Sequence, residues 1–319
     1  MAETARHIIT NGEARMRTIE QRLLNVSGYS NYREVLIDST DTKIALSIYE
    51  TKRQKPCVIF LPGTMTHPLF YDEFLSRVAE NGFNVIGIHF ISHGKSPRDK
   101  KVFTFDDMIQ NVLDTMKFVK KHYNNKIALL GSSQGGILSL AVAGRDSRIK
   151  VAFAHNVVLS SLKDTIVITR FPLYLKPFYK VVPLLMNLVA RFFPRWQIPI
   201  TAYLDFDRIT KSEEIKRQFY SDPIGLVSYP LHFLATLFSV NLDCITDGSI
   251  KCPVVVIASK GDLLFPFDYC AKVFGLIAAK KKEMVVFEEP YHLIFNECID
   301  EIIDPIVNKL GEYLYRAVP

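Results

Sequence analysis

The chain has 319 residues, 48% of them hydrophobic and 23% charged, so it can bury a large core, and its composition argues against intrinsic disorder. Its formal net charge of +6 is a mild excess that matters only where basic residues cluster. The charged N-terminal stretch lacks the apolar run of a secretory signal, which predicts a cytoplasmic protein. Five cysteines without CxxC spacing predict reduced, mostly buried thiols, with Cys244–Cys252 as the one disulfide considered.

The first elements that the sequence predicts are a helix and a hairpin. Apolar residues between Ile8 and Leu24 keep roughly helical spacing among charged neighbours, which predicts an amphipathic leader helix. Residues 32–39 and 43–50, separated by a polar turn, predict a β-hairpin. The apolar run at 56–63 ends in Pro-Gly and predicts a buried strand.

Helices and strands then alternate. The predicted helices cover 70–82 and 105–123 and begin again at Gln134, while the predicted strands cover 83–90, 126–131 and 150–157. This spacing is typical of βαβ units, so it predicts a parallel sheet covered by helices on both faces.

The rhythm is interrupted between residues 159 and 247, which are helical, aromatic and broken by prolines. It returns with apolar runs at 252–259 and 283–289. The prediction is an α/β core formed by residues 1–158 and 248–319, with a helical cap inserted at 159–247.

The segment Gly131-Ser132-Ser133-Gln134-Gly135 is a GxSxG pattern between a buried strand and a helix. A serine hydroxyl becomes a good nucleophile only when a base removes its proton and fixed donors receive the oxyanion. The central serine of this pattern lies at the tip of a strained turn, and the glycines allow backbone segments to approach closely. Ser133 is therefore the predicted nucleophile, and Ser132 is not.

From about Tyr32 onward the chain resembles the α/β-hydrolase family, on the segments LPGT, HFISHGKS, GSSQGG, KGDLLFP and YHLIF. The family order of nucleophile, acid and histidine implies His292 as the base, because it alone among the histidines follows the last buried strands. Asp262, in the loop after a late strand, is the implied acid that orients the imidazole. Asp268, Asp243 and Asp247 remain alternatives.

The resemblance also implies an oxyanion hole. Its donors are the N–H of Gln134, directly after the nucleophile, and that of Thr64 in the loop after the third strand, with Met65 as the alternative to Thr64. The family more often has His-Gly where this chain has Pro62-Gly63. No cofactor is implied.

Other motifs are weaker. His89 and His93 are four residues apart but have no neighbouring carboxylate or cysteine in sequence, so they do not predict a metal site. Gly94-Lys95-Ser96 lacks the first glycine of a phosphate-binding loop. No zinc-finger spacing or isolated basic arm indicates nucleic acid binding.

The segment 165–204 carries five basic residues and no acidic one, namely Arg170, Lys176, Lys180, Arg191 and Arg195. The apolar and aromatic residues interleaved with them include these fourteen: Phe171, Leu173, Tyr174, Leu175, Phe178, Tyr179, Leu184, Leu185, Met186, Leu188, Val189, Phe192, Phe193 and Trp196. We expect most of these to pack the cap onto the core while the basic side chains extend outward. Part of the surface is expected to form an acyl pocket, or a patch that contacts an anionic membrane. The run at 181–193 is too short to span a bilayer.

Together these features predict a serine hydrolase similar to monoacylglycerol lipases, lysophospholipases and acyl thioesterases, acting on an ester or thioester with an apolar acyl part. Aminopeptidase activity is disfavoured because the basic half of the cap would repel a substrate ammonium. An acyltransferase on the same triad, and a non-catalytic lipid carrier or receptor of the same fold, are the alternatives.

Overall fold

The computed structural model describes residues 24–315, and the predicted leader helix lies outside the described residues apart from its last residue. The described chain contains ten β-strands: β1 (Tyr32–Ser39), β2 (Thr42–Tyr49), β3 (Cys57–Leu61), β4 (Asn84–His89), β5 (Ile127–Ser132), β6 (Val151–His155), β7 (Gln197–Pro199), β8 (Ser228–Pro230), β9 (Val254–Ser259) and β10 (Lys282–Phe287). Its α-helices are α1 (Asp72–Glu80), α2 (Phe105–His122), α3 (Gln134–Ala143), α4 (Val181–Phe192), α5 (Phe206–Ile209), α6 (Glu213–Ser221), α7 (Leu231–Ser239), α8 (Phe267–Leu276), α9 (Ile294–Glu297) and α10 (Ile299–Leu314). Short 3-10 helices occupy Pro68–Tyr71, Lys163–Ile168, Leu173–Phe178, Ile200–Ala202 and Asp243–Ile245.

Eight strands form the central sheet, in the order β1-β2-β4-β3-β5-β6-β9-β10. The pairs β1/β2 and β2/β4 are antiparallel, and the remaining neighbours are parallel. Every residue of β3, β4, β5, β6 and β9 is buried, because helices cover both faces of a parallel sheet. The predicted mostly parallel α/β sheet is confirmed.

The predicted hairpin is β1 and β2, joined by Thr40 and Asp41. Both residues have positive φ, 50° and 57°. Two central residues with φ above zero are typical of a type I′ turn, whose twist matches that of the paired strands. The turn therefore fixes the register in which Ser39 pairs with Thr42.

The core helices follow from capping and burial. Thr104 and Asp107 form a capping box at the start of α2, which satisfies two of the free N–H groups of the first turn. All residues of α3 are buried, so this mostly apolar helix is covered by other elements on every side. Helix α2 packs against α3, and α1 packs against α10.

The chain between β6 and β9 forms a cap of helices α4 to α7 and a short antiparallel pair, β7 with β8. The β-pair was not predicted. Helix α4 packs against α7 through Ala190, Leu231 and Ala235, with Met186 and Ile198 beside them. The domain boundaries at 159 and 247 remain a prediction.

The expectation that most apolar residues of the cap segment pack onto the core is wrong. Eleven of the fourteen are exposed: Phe171, Leu173, Tyr174, Phe178, Leu184, Leu185, Leu188, Val189, Phe192, Phe193 and Trp196. We call these eleven, together with exposed Val181, the cap patch. Helix α4 presents its leucines outward because its inward contact is made by the small side chain of Ala190.

Two further sequence expectations concern thiols and membrane spans. All five cysteines lie in the described range as free thiols, so Cys244 and Cys252 are not paired. Within residues 24–315, every helix is too short or too polar to cross a bilayer.

Candidate active site

Ser133 lies at the turn between β5, which ends at Ser132, and α3, which begins at Gln134. Its backbone has φ 52° and ψ −114°, a conformation that costs a non-glycine residue about 1–3 kcal/mol and is often found at functional sites. Ser132 belongs to the strand and is buried, whereas Ser133 is partly exposed. The strained turn thus places only the second serine where a ligand could meet it.

The two flanking glycines are required by close backbone contacts. A Cβ added to Gly131 would lie 2.0 Å from the carbonyl oxygen of Gly135. One added to Gly135 would lie 1.9 Å from the carbonyl oxygen of Leu61, at the end of β3. Because atoms cannot approach so closely, the turn packs against β3 only with glycine at both positions.

Asp262 and His292 come from the loops after β9 and β10, at the same edge of the sheet as Ser133. The Nδ1 of His292 donates to Oδ2 of Asp262 at 2.9 Å. The other carboxylate oxygen accepts the N–H groups of Leu264 at 2.8 Å and Phe265 at 2.9 Å. The Phe265 ring stacks on the imidazole, with centroids 5.3 Å apart. Two sides of the imidazole are thereby held in place.

The pKa of Asp262 is lowered. Burial alone would raise it, but the adjacent His292 and the N–H of Phe265 favour the charged carboxylate and outweigh burial. The alternative acids are not hydrogen-bonded to His292. Asp268 lies in the first turn of α8, and Asp243 and Asp247 are exposed.

Ser133 and His292 line the same cavity, without a direct hydrogen bond between their side chains in the described part of the chain. In structures without a bound substrate, hydrogen bonds between nucleophile and base are often long and tighten only in the complex. The fold thus brings Ser133, Asp262 and His292 to one site. The hydrogen bond between His292 and Asp262 is present, whereas the expected one between Ser133 and His292 is not present within residues 24–315.

The loop after β3 distinguishes the two candidate oxyanion donors. The N–H of Met65 donates to the hydroxyl of Tyr229 at 2.8 Å, so this donor is already engaged. Thr64 lies beside Ser133 and donates through its Oγ1 to Oε1 of Gln134 at 3.3 Å. Gln134 is the first residue of α3, where backbone N–H groups lack partners within the helix. The geometry favours Thr64 and Gln134 over Met65.

Asn156 is the residue that sequence reasoning missed. It follows β6 directly, has a φ of 56°, and donates through Nδ2 to Oδ2 of Asp262 at 2.7 Å. The same Nδ2 lies 2.8 Å from Nε2 of His155 and 3.2 Å from Nδ1 of His292. The amide nitrogen must face the carboxylate, since an amide oxygen there would oppose another acceptor. Its place after a parallel strand, at the edge that carries the other loops, was the available signal.

Burial keeps His155 neutral, because it lowers the pKa of this imidazole to about 3, and the neighbouring His292 acts in the same direction. His89 and His93 are also buried, and both hold structural hydrogen bonds. Backbone N–H of Lys95 donates to Nδ1 of His89, and Nδ1 of His93 donates to the carbonyl of Ile91. In residues 24–315 no three His, Cys, Asp or Glu side chains are grouped to hold a metal.

Two cavities meet at Ser133. Cavity I is walled by apolar side chains of the cap and core, among them Ile137, Ile168, Leu237, Phe238, Leu242 and Phe265. Cavity II is walled by Phe70, Ile200, Phe206, Ile209, Phe219 and Leu293, and also by His292. No Asp, Glu, Lys or Arg lines either cavity, and neither contains a residue of the cap patch.

The model of the family described as serine aminopeptidase, S33, matches residues 52–299. The chain belongs to this family of α/β-hydrolases. The resemblance inferred from its motifs is therefore confirmed.

Solved structures of α/β-hydrolases resemble this chain over most of its length. A monoacylglycerol lipase of Paleococcus ferrophilus has a TM-score of 0.68 at 20% identity, over 85% of this chain and 99% of that one. A soluble variant of monoglyceride lipase from Saccharomyces cerevisiae, in complex with a substrate analogue, has a TM-score of 0.67 at 16% identity, over 88% and 95%. At these identities the likeness shows the fold alone.

One curated relative is described as "Putative non-heme haloperoxidase" of Mycobacterium phage D29. It is 32% identical over 88 residues, which are 28% of this chain and 31% of that protein. The match thus spans less than a third of the relative's length, and it carries no activity over to this chain.

Proposed function

We propose that this S33 family member is a serine hydrolase that cleaves a carboxylic ester or thioester with an apolar acyl group. The observation that carries the proposal is the strained turn at Ser133, which lines two apolar cavities, together with His292, which is hydrogen-bonded to Asp262 and lies on the wall of one of them. A nucleophile, an oriented base and an apolar binding space are the parts that ester hydrolysis needs.

In the proposed mechanism Ser133 Oγ attacks the acyl carbonyl carbon while His292 takes the hydroxyl proton. The N–H groups of Gln134 and Thr64 stabilise the oxyanion. Asp262 holds the imidazole and stabilises its charged form. His292 then gives the proton to the departing oxygen or sulfur, and a water molecule, activated by the same imidazole, releases the acid from the acyl-enzyme.

The family carries the description serine aminopeptidase. The residues that line the two cavities nevertheless support an acyl ester as the substrate over a peptide with a free amino terminus. A substrate ammonium has to be paired when it leaves water. Neither cavity offers a carboxylate near Ser133. An apolar acyl chain, in contrast, gains about 0.8 kcal/mol for each methylene buried there.

Covalent labelling tests the nucleophile. We expect Ser133→Ala to abolish labelling by a fluorophosphonate and hydrolysis of a soluble ester. The matched variant Ser132→Ala should keep both, because its hydroxyl is buried within β5. Labelling that survives Ser133→Ala and is lost in Ser132→Ala would reverse the assignment. A folded wild-type chain that is neither labelled nor active would support a lipid carrier or receptor.

A series of esters with the same alcohol tests the acyl part. If cavity I binds the acyl chain, kcat/KM should rise severalfold from butanoyl to octanoyl esters, because each added methylene is buried. Cap residues line this cavity, as expected. They include Leu237 and Phe238, however, and none of the aromatic residues at 171–196. A flat or falling profile would contradict an acyl pocket.

We further propose that the cap patch contacts a membrane surface. On α4 the exposed residues Val181, Leu184, Leu185, Leu188 and Phe192 recur every three or four positions and form one apolar stripe facing solvent. Patches of this kind are typical of interaction sites, and amphipathic helices with basic flanks lie in lipid interfaces. Exposed Lys180, Arg191 and Arg195 would then meet anionic headgroups.

Vesicle binding separates the two parts of this surface. The double variant Leu184→Ser, Leu188→Ser should weaken binding to anionic vesicles about tenfold or more at any salt concentration, because burying each leucine contributes about 1.5–3 kcal/mol. Replacing Lys180 and Arg191 by Gln should weaken binding mainly at low salt. Lys176 is left out because it is paired with Asp164 at 2.5 Å. Unchanged binding in both variants would contradict the membrane contact.

A further inference from the structure

The two cavities at Ser133 are not equivalent with respect to His292. Both are bordered by Ser133, Thr64, Leu204 and Leu264. Only cavity II is lined by His292, and only cavity I is lined by Gln134. An ester bound at Ser133 therefore has one half in contact with the base and the other half in the cavity that lacks it.

The chemistry of acyl transfer decides which half is which. The protonated imidazole has to reach the leaving oxygen, because that oxygen takes the proton when its bond to the acyl carbon breaks. The leaving alcohol therefore lies on the His292 side, in cavity II. The acyl chain extends in the other direction, into cavity I.

Cavity II is lined in a way that selects the alcohol. Phe206 and Phe219 have ring centroids 4.8 Å apart, and Phe70 and Phe219 have centroids 6.5 Å apart, so aromatic faces form much of the wall. Apart from the nucleophile Ser133, the side-chain hydroxyls that line it are already hydrogen-bonded. Thr64 donates to Oε1 of Gln134 at 3.3 Å, Thr66 donates to the carbonyl of Gly63 at 2.9 Å, and Tyr71 and Thr66 are hydrogen-bonded at 3.2 Å. The Tyr71 hydroxyl also accepts the N–H of Gly63 at 3.3 Å.

We propose that cavity II is the leaving-group site and that it takes an apolar alcohol, so that the substrate is an ester apolar on both sides of the carboxyl group. This assignment rests on the proposed hydrolase function and adds the class of its second product. A polyol such as glycerol would lose hydrogen bonds to water there and find the Thr64, Thr66 and Tyr71 hydroxyls already paired, whereas an alkyl chain would gain by burial.

A series of butanoyl esters tests the alcohol at fixed acyl group. We expect kcat/KM to rise up to about fourfold per methylene from the ethyl to the butyl and hexyl ester. The 1-glyceryl ester should be slower than the butyl ester by about tenfold or more. Because kcat/KM reports the steps up to alcohol release, deacylation, which is common to all these esters, does not affect the comparison.

Two matched phenylalanine variants locate the effect. Phe206 lines only cavity II and Phe238 only cavity I, and both belong to the cap. Phe206→Ala should lower the ratio of hexyl to ethyl ester severalfold and leave the ratio of octanoyl to butanoyl ester unchanged. Phe238→Ala should do the opposite. Each ratio is measured within one variant, so a smaller folded fraction cancels.

The outcomes are separable from the proposed function. Equal efficiencies along the alcohol series, or preference for the glyceryl ester, would overturn the leaving-group assignment while hydrolysis itself stands. Exchanged effects of Phe206→Ala and Phe238→Ala would overturn it too, because the cavities would then hold the opposite halves. If no ester is hydrolysed and Ser133 is not labelled, the hydrolase function fails, and this inference fails with it.

Discussion

The hydroxyl of Tyr229 connects the proposed oxyanion loop to the cap. Tyr229 lies on β8 and is fully buried, and burial raises the pKa of its hydroxyl, which therefore stays a neutral donor. It accepts the N–H of Met65 at 2.8 Å and lies 2.8 Å from Nε2 of His93. Because Nδ1 of His93 donates to the carbonyl of Ile91, Nε2 is the acceptor, and Tyr229 donates to it.

Tyr229→Phe removes one oxygen atom and leaves two buried groups without partners. Each unsatisfied buried group costs about 1–3 kcal/mol, so we expect the free energy of unfolding to fall by about 2–6 kcal/mol. The loop that carries Thr64 would lose one of its contacts with the cap, while the hydrogen bond from the N–H of Leu226 to the carbonyl of Met65 would remain. Loss of a whole oxyanion donor lowers kcat about 10²–10³-fold, so a loosened donor should lower kcat by less than that, about tenfold.

Urea unfolding and ester turnover measure the two effects in the same protein. Tyr203→Phe is the matched control for stability, because Tyr203 is another buried cap tyrosine and its hydroxyl has no hydrogen-bond partner among the described residues. This control should be as stable as the wild type or more stable. If Tyr229→Phe loses stability but keeps or gains kcat, the freed N–H of Met65 is the oxyanion donor and the assignment of Thr64 is wrong. Unchanged stability would refute the hydrogen bonds themselves.

Two further predictions concern the triad acid and acid stability. Asp262→Asn should lower kcat by several powers of ten. Adding Asn156→Asp should raise the kcat of that variant at least about tenfold, because residue 156 reaches the same nitrogen of the His292 imidazole. Turnover of a soluble ester by the single and double variants measures this recovery, and its absence would contradict the prediction. Burial lowers the pKa of His93 to about 4 and that of His155 to about 3, so the unfolded chain binds more protons below about pH 6.5. The stability due to each neutral histidine is complete above that pH and is lost on acidification by about 1.4 kcal/mol per pH unit. Urea midpoints at pH 7, 6 and 5 would detect this loss. His155→Gln should flatten the dependence of stability on pH, and an unchanged slope would refute the lowered pKa of His155.

The sequence was sufficient for the parts of the fold that depend on local pattern. Strands such as β9 are continuous apolar runs because both faces of the sheet are covered, so length and composition identify them. The GxSxG turn was recognisable because its glycines are required by contacts within a few residues and with the neighbouring strand. The order of nucleophile, acid and histidine then named Asp262 and His292, which the fold brings within 2.9 Å of each other.

Contacts between segments that are distant along the chain could not be predicted from the sequence. Asn156 touches Asp262 across 106 positions, and Tyr229 touches Met65 across 164. An asparagine after a strand and a tyrosine in a cap have many uses, so neither residue type reveals such a partner. Strands β7 and β8 have three residues each, too few for an alternating pattern to be recognised.

The cap shows why periodicity identifies a helix but not the surface it faces. The apolar residues of α4 recur at helical spacing, which usually indicates a face turned to the core. In this fold Ala190 of α4 packs with Leu231 and Ala235 of α7, since small side chains allow the helices to approach closely. The larger leucines and phenylalanines are then left on the opposite side, away from both cavities. Helix α4 thus packs through Ala190 and exposes its larger leucines and phenylalanines, which leaves an apolar surface free for another contact; the lipid interface is the contact that we propose for it.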